Sequence, residues 1–400
     1  MGTQLSDRVR PISYPITEIV SEARTLEKKG KDIIYLNIGD PPQYGFSPSP
    51  EVCEKLCDAV KSGHNSYSDP SGLPELKNAI IDREKQRHGV SLTADDVFVT
   101  MGSSEALQYV IASLIDSGDE GIIPGAWYPL YPNYIKLYNG RVVTYDLIED
   151  KEWFPDIDDM RSKITEKTQF ILLNNPNNPT GAVYDEKTIK AILDIAAERN
   201  LIVIADEVYN SILFDDGFTS TASIARDTCV ITTNGVSKGY GLTGWRLGWL
   251  MISDPTETFE NALKSHIDKL TRTRMCASTP IQKACAFALN MSAHHINQTV
   301  EKLKQHCDYV YKRLTDTEGV STKKPAGSLF IFPKIEQMGD LKNDNEFVRA
   351  LLRQKGVCVV PGTGFGEVGL NHFREVFLED MTRLEDAHNR LEEFMLKLTG

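Results

Sequence analysis

Cysteine is scarce and unpatterned, with seven in 400 residues and no C-x-x-C pair. That excludes a disulfide-stapled scaffold and suits a reducing cytoplasm. Cys53 and Cys57 stand four apart on a predicted helix, which fits packing better than metal binding, and no metal site is expected. No apolar run approaches membrane-spanning length, so no membrane partner is expected. The segment Met1 to Pro11 is polar and lacks an apolar signal core, which again points to the cytoplasm. Positive charge is in deficit, 44 basic against 56 acidic residues, a net charge of −12. A general polyanion binder is thereby disfavoured, and no nucleic-acid partner is expected. Internal repeats, low-complexity linkers and blocks of like charge are all missing. What remains is 41% hydrophobic and 25% charged, the balance of a globular protein long enough for two domains.

Along the chain, strand and helix patterns alternate. Residues 12 to 30 carry a helical apolar face of Ile16, Ile19, Val20, Ala23 and Leu26, ended by Gly30. A strand is predicted over Ile33–Ile38, stopping at Gly39-Asp40-Pro41-Pro42 in a tight loop. A helix over 49–62 follows. Strand 96–100 leads through Met101-Gly102-Ser103-Ser104 into a helix over 107–115. Helix N-termini bind phosphate through exposed N–H groups, and Ser103 and Ser104 can cap such a helix. Gln169 to Leu173 is a buried-type strand ending in Asn174-Asn175-Pro176-Asn177-Asn178-Pro179-Thr180-Gly181, where two Asn-Pro units restrict the backbone. Leu201 to Ala205 is continuously apolar, as in a central parallel strand, with Asp206-Glu207-Val208-Tyr209 at its carboxyl end. Further helices are predicted over 185–199, 262–270, 298–317 and 345–355, and strands over 229–235, 356–361 and 372–378. Gly362 to Gly366 reads G-x-G-x-G without a helix start, so a nucleotide loop is disfavoured.

One stretch carries the chemistry: Val236-Ser237-Lys238-Gly239-Tyr240-Gly241-Leu242-Thr243-Gly244-Trp245-Arg246-Leu247-Gly248. A lysine amine becomes a nucleophile when burial or nearby positive charge keeps it neutral. Ser237 can donate a hydrogen bond to a phosphate, and Arg246 can grip one with its planar fork. An amine for an aldehyde, with serine and arginine for a phosphate, is what pyridoxal 5'-phosphate requires.

The pattern S-K-x5-G-x-R-x-G resembles the lysine segment of the class I aminotransferases, of the fold type I pyridoxal-phosphate enzymes. The likeness runs from Gly39 to Arg374 with its motifs in family order. It implies an α/β fold, with a mostly parallel central sheet flanked by helices in a large domain over 46–285. A smaller α+β domain would combine 1–45 and 286–400. It also implies site roles. Lys238 would carry the cofactor, Asp206 would face its ring nitrogen, and Tyr209 and Asn178 its ring oxygen. Gly102, Ser103, Ser104, Ser237 and Arg246 would hold the phosphate. An aromatic would stack on the ring, assigned to Tyr128 with Trp127 one residue away. Gly39, Asn178 and Arg374 would hold the substrate carboxylate. Tyr67 would reach the phosphate of a second copy in a homodimer with shared sites.

The segment Arg274-Met275-Cys276 followed by Pro280-Ile281-Gln282 resembles the alanine aminotransferase branch. It implies amino transfer from L-alanine to 2-oxoglutarate. Aspartate, aromatic or branched amino acids stay open, as does β-elimination by a C–S lyase. Arg272 and Arg274 both lie near the place where a diacid's second carboxylate would be met, and spacing does not choose between them.

Overall fold

The computed structural model describes residues 6–215 and 217–399. Its central sheet has seven strands, numbered in chain order: β1 Val97–Thr100, β2 Glu120–Pro124, β3 Arg141–Tyr145, β4 Thr168–Asn174, β5 Ile202–Asp206, β6 Val230–Gly235 and β7 Gly248–Ser253. In space they run β1-β7-β6-β5-β4-β2-β3. Neighbours are parallel throughout except at β7, which is antiparallel to β1 and β6. The strands read as apolar runs because helices cover both faces. Side chains alternate between those faces: Leu172, Ile202 and Ile204 pack with Leu107 and Val110 of helix Ser103–Leu114, whereas Ile171, Leu173 and Val203 meet Ile189 and Ile192 of helix Glu186–Glu198.

A second core draws on both ends of the chain. Ile19 and Ala23 from helix Pro15–Glu27 pack with Leu303 and Val310 from His294–Asp316, Phe347 and Leu351 from Asp344–Lys355, and Leu384 and Leu391 from Met381–Thr399. Beside it, Phe373–Val376 lies antiparallel between Phe330–Ile331 and Val360–Pro361.

Three local expectations need correction. The strand predicted over Ile33–Ile38 forms a ladder only at Ile34–Tyr35, parallel to Val357–Cys358. Past that point the chain crosses from one small sheet to the next: Leu36 N–H donates to Cys358, while its carbonyl accepts from Val376. The helix after β1 begins at Ser103, with Gly102 as the residue before it at φ +79°, so neither serine acts as its cap. The helix predicted over 262–270 extends over Glu260–Arg274, which puts Arg272 and Arg274 on its last turn.

Candidate active site

In open α/β sheets, ligands bind beyond the carboxyl ends of the strands. Here β4 and β5 end in register, Asn174 beside Asp206, and Asp206 pairs with Thr233 of β6. A cavity of about 240 Å³ opens over these ends. Its walls include Gly39, Ser103, Ser104, Tyr128, Asn178, Asp206, Tyr209, Ser237, Lys238, Arg246 and Arg374. Eleven residues singled out from the sequence thus converge on one volume from segments spread over more than 300 positions of chain.

Lys238 follows β6 and is half-buried, with Nζ donating to the Gly39 carbonyl at 2.6 Å. Burial lowers its amine to about 8; Asp40 opposes this, and Arg374 and Arg246 reinforce it. About one amine in ten is then neutral at pH 7, against about one in three thousand at the ordinary value. This shift also sets a stability signature. Below about pH 8 the ammonium is charged in both folded and unfolded chains, and the fold carries its full desolvation cost. Between about 8 and 10.5 the folded chain binds fewer protons than the unfolded one, so the cost disappears as pH rises. Lys238→Met is therefore expected to melt higher than the native sequence at pH 7, in protein free of cofactor. The gap should close by about pH 10.5; a gap independent of pH would contradict the shift.

Asp206 is buried, and burial pushes its carboxyl up to about 6. The Tyr131 hydroxyl donates to Oδ2 at 2.7 Å and the Val208 amide to Oδ1 at 3.3 Å, both favouring the charged form. Tyr209 is fully enclosed, and burial holds its phenol well above the ordinary value, hence neutral. Asn178 is fixed through its N–H to Asn174 Oδ1 at 2.7 Å. Its own Oδ1 accepts from Arg374 Nη1 at 3.1 Å, while Nη2 of that arginine donates to the Asn37 carbonyl. The Arg374 guanidinium lies over the Phe330 and Phe365 rings, 4.4 and 4.7 Å from their centres. Burial lowers it to about 10, so it stays charged at neutral pH. Its buried Nε has no hydrogen-bond partner among the described residues. A cation enclosed this way needs an anion to offset its desolvation.

The opposite wall is a bare helix N-terminus. A Cβ on Gly102 would lie 2.5 Å from Arg246 Nη2, and one on Gly248 would lie 2.6 Å from Ser103 N. Only glycine at both positions lets the exposed amides, the two serines and the guanidinium share one space. Arg246 is itself held by donating from Nη1 to the Thr243 carbonyl at 3.0 Å.

Other candidates fall elsewhere. Tyr67 is 79% exposed and does not line this chain's cavity. Tyr128 lines the cavity, whereas Trp127 packs on Gly366 and donates its backbone N–H to Phe365. Arg272 points outward and pairs with Asp268 at 2.8 Å. Arg274 turns into the protein, donating to the Pro70 and Val99 carbonyls at 3.1 and 3.0 Å. The sequence reading missed Tyr14, Tyr131 and Thr243. Thr243 lies inside the lysine stretch and bonds Asp40, so a signal was available. Tyr14, whose hydroxyl sits 3.3 Å from that of Tyr128, arrives from 114 residues away and left no local trace. Among the described residues no cluster of three or more His, Cys, Asp or Glu could hold a metal ion. No helix among them is long and apolar enough to cross a membrane.

Known proteins are similar to this one along nearly the whole chain. The family described as aminotransferase class I and II matches residues 31–386. The glutamate-pyruvate aminotransferase AlaA of Escherichia coli K12 is 35% identical over 99% of this chain and 98% of its own. The alanine aminotransferase of Mycobacterium tuberculosis H37Rv is 35% identical over 98% and 92%. The solved structure of an alanine aminotransferase from Pyrococcus furiosus superposes with a TM-score of 0.97 at 46% identity, covering 98% of this chain and 100% of that one. With its lysine, acid and arginines gathered at the sheet's carboxyl edge, the chain belongs to the class I and II aminotransferases, enzymes that move amino groups with pyridoxal 5'-phosphate.

Proposed function

We propose that this aminotransferase takes the amino group of L-alanine and gives it to 2-oxoglutarate, releasing pyruvate and L-glutamate. The observation that carries the substrate choice is the likeness to alanine aminotransferases along the whole chain, and the cavity's inner wall is compatible with it. The Tyr14 and Tyr128 hydroxyls meet across it at 3.3 Å, and among the described residues Arg246 and Arg374 are the arginines that line it. With Arg246 committed to phosphate and Arg374 to the α-carboxylate, the described wall of this chain has no guanidinium dedicated to a second carboxylate, whether of aspartate or of 2-oxoglutarate, so the wall accommodates alanine without by itself choosing among diacids. A methyl side chain fits that wall. The AlaA and alanine aminotransferase relatives support the same reading.

The residues suit pyridoxal 5'-phosphate. The Gly102 backbone, Ser103, Ser104, Ser237 and Arg246 form an anion cup that a Cβ at Gly102 would obstruct. Lys238 supplies the amine, Asp206 the acid for the ring nitrogen, Tyr209 and Asn178 the donors for the ring oxygen, and the Tyr128 ring a stacking face. When bound, the cofactor supplies an electron-withdrawing ring that makes the substrate's α-proton removable. The chain does the rest. Arg374 and Asn178 hold the carboxylate, with the Gly39 loop alongside, and so orient the α-carbon. Lys238 Nζ, once free of its cofactor bond, takes the α-proton as general base and returns it as general acid; its lowered basicity suits both tasks near neutral pH. Tyr131 keeps Asp206 oriented and charged.

In this reading the enzyme is a cytoplasmic homodimer. The exposed Tyr67 ring completes the phosphate site of a second copy, and the large unit over 46–285 carries the cofactor while both chain ends form the smaller one. The test is the absorbance of the lysine-bound cofactor. L-Alanine should bleach the blue-violet band and 2-oxoglutarate should restore it, with L-aspartate far slower. Bleaching led by aspartate, aromatic or branched amino acids would discard alanine. Pyruvate and ammonia formed from a cysteine conjugate without any 2-oxo acid would point to a β-lyase instead.

A further inference from the structure

A second polar cluster adjoins the site without belonging to the cavity wall. Its centre is Arg83 on helix Pro74–His88, 4% exposed, beside Glu84 at 0%. Arg83 Nη1 donates to Glu84 Oε1. Its Nη2 donates to Asn210 Oδ1 at 2.9 Å and to Ser211 Oγ at 3.1 Å. Burial acts to discharge the guanidinium, but Glu84 and the Tyr240 hydroxyl outweigh it and keep it charged. Asn210 and Ser211 directly follow Tyr209, and Tyr240 stands two residues after Lys238. Those two turns also touch without an intermediary: a Cβ on Gly239 would lie 2.8 Å from Ser211 Cβ. Glu207, next to Asp206, joins the same region and is held by the Thr221 amide at 2.8 Å and the Ser220 hydroxyl at 3.2 Å.

Stability alone does not explain this cluster. A buried ion pair is often no better than two apolar side chains of like volume. This one also leaves Arg83 Nε, Glu84 Oε2 and Glu207 Oε2 buried without hydrogen-bond partners among the described residues, each at a cost. What apolar residues cannot do is fix two segments in one register. A planar guanidinium can, because its donors point in set directions. We infer that Arg83 is a positioning residue: through Asn210 and Ser211 it fixes the turn carrying Tyr209, which packs at Ser211 on Gly239 of the turn carrying Lys238, and so keeps the Lys238 amine enclosed. The inference rests on Lys238 being the reactive amine, but its test needs no cofactor.

The test uses the full-length protein freed of cofactor. Lys238 is acetylated with trace acetic anhydride across a pH series, and its peptide is quantified by mass spectrometry, which gives the amine's titration midpoint. The groups facing that amine, Asp40, Asp206, Tyr209, Arg246 and Arg374, are left unchanged. Arg83→Lys keeps a charge for Glu84 and loses the fork. Tyr240→Phe removes only the hydroxyl beside the lysine turn. The double variant Arg83→Met with Glu84→Gln removes both buried charges, so a folding failure of the first variant leaves two others to decide. If the clamp operates, water reaches Lys238 and the midpoint rises by at least about half a unit. That is a roughly threefold loss of neutral amine at pH 7. Midpoints that stay at the native value in folded variants, even with lowered melting temperatures, mean a structural role only and overturn the inference. A native midpoint near the ordinary lysine value would instead show that the amine is not enclosed at all, and the inference would fall with that reading. Shifted midpoints in an enzyme that prefers another amino acid would leave the clamp standing and remove only alanine.

Discussion

Lys238→Ala is expected to lower amino transfer by at least about 10⁴-fold while leaving cofactor binding much less affected. General acid–base catalysis by one positioned group contributes about 10² to 10⁴, and groups that also act covalently cost more when removed. In the proposed function Lys238 has both tasks, and among the described residues it is the one lysine on this chain's cavity wall. Its substitution should leave the proposed phosphate cup intact, since Ser103, Ser104, Ser237 and Arg246 are anchored by their own segments. The variant should thus bind pyridoxal 5'-phosphate without the absorbance of a lysine-bound form. Measuring the half-reaction rate and the cofactor affinity on the same preparation separates the two roles. A fall of tenfold or less in rate would mean that another group moves the proton.

The second large effect is expected at Asp206. Asp206→Ala should slow the half-reaction about 10³-fold, comparable to or beyond the loss of one preorganised donor at a developing charge. Asp206 sits at the end of β5 with both oxygens already oriented by Tyr131 and Val208. A bound cofactor's protonated ring would place a positive charge beside it and favour the carboxylate further. Asp206→Asn is the informative companion. It keeps an oxygen for the Tyr131 hydroxyl, removes the charge and replaces the oxygen that accepts from the Val208 amide with an NH2 group. Losses of similar size in Asn and Ala variants would assign the effect to the ionised carboxylate rather than to the Tyr131 contact. An Asn variant near native activity, by stopped-flow absorbance, would reduce Asp206 to a hydrogen-bonding role.

What could be read in the sequence was what depends on short stretches. The lysine stretch contains its own glycines, its serine and its arginine, and the structure shows why. Gly248 admits the start of helix Ser103–Leu114, and Arg246 reaches the Gly102 backbone. Asp206 was visible because β5 is buried on both faces, so an acid ending that apolar run stands out. Register over one residue was not readable: Trp127 and Tyr128 are both aromatic, and only the packing of Trp127 on Gly366, far along the chain, turns it from the cavity. Arg272 and Arg274 differ by half a helical turn, and their partners, Asp268 on one side and two carbonyls of distant segments on the other, decide which is exposed. Tyr14, Tyr131 and Arg83 act across long separations, where hydrophobic periodicity has nothing to report. The short pairing at Ile34–Tyr35 is a similar case, because a β-branched, apolar run looks like a strand whether it meets one neighbour or bridges two.

The most direct test of the central claim is the location of the covalent bond. Protein purified with its cofactor is reduced with borohydride, digested and sequenced by mass spectrometry. The pyridoxyl phosphate mass is expected on the peptide containing Ser237-Lys238-Gly239, at Lys238. Its appearance on a different lysine, or its absence from every peptide of an active preparation, would contradict the assignment of Lys238 and the mechanism built on it.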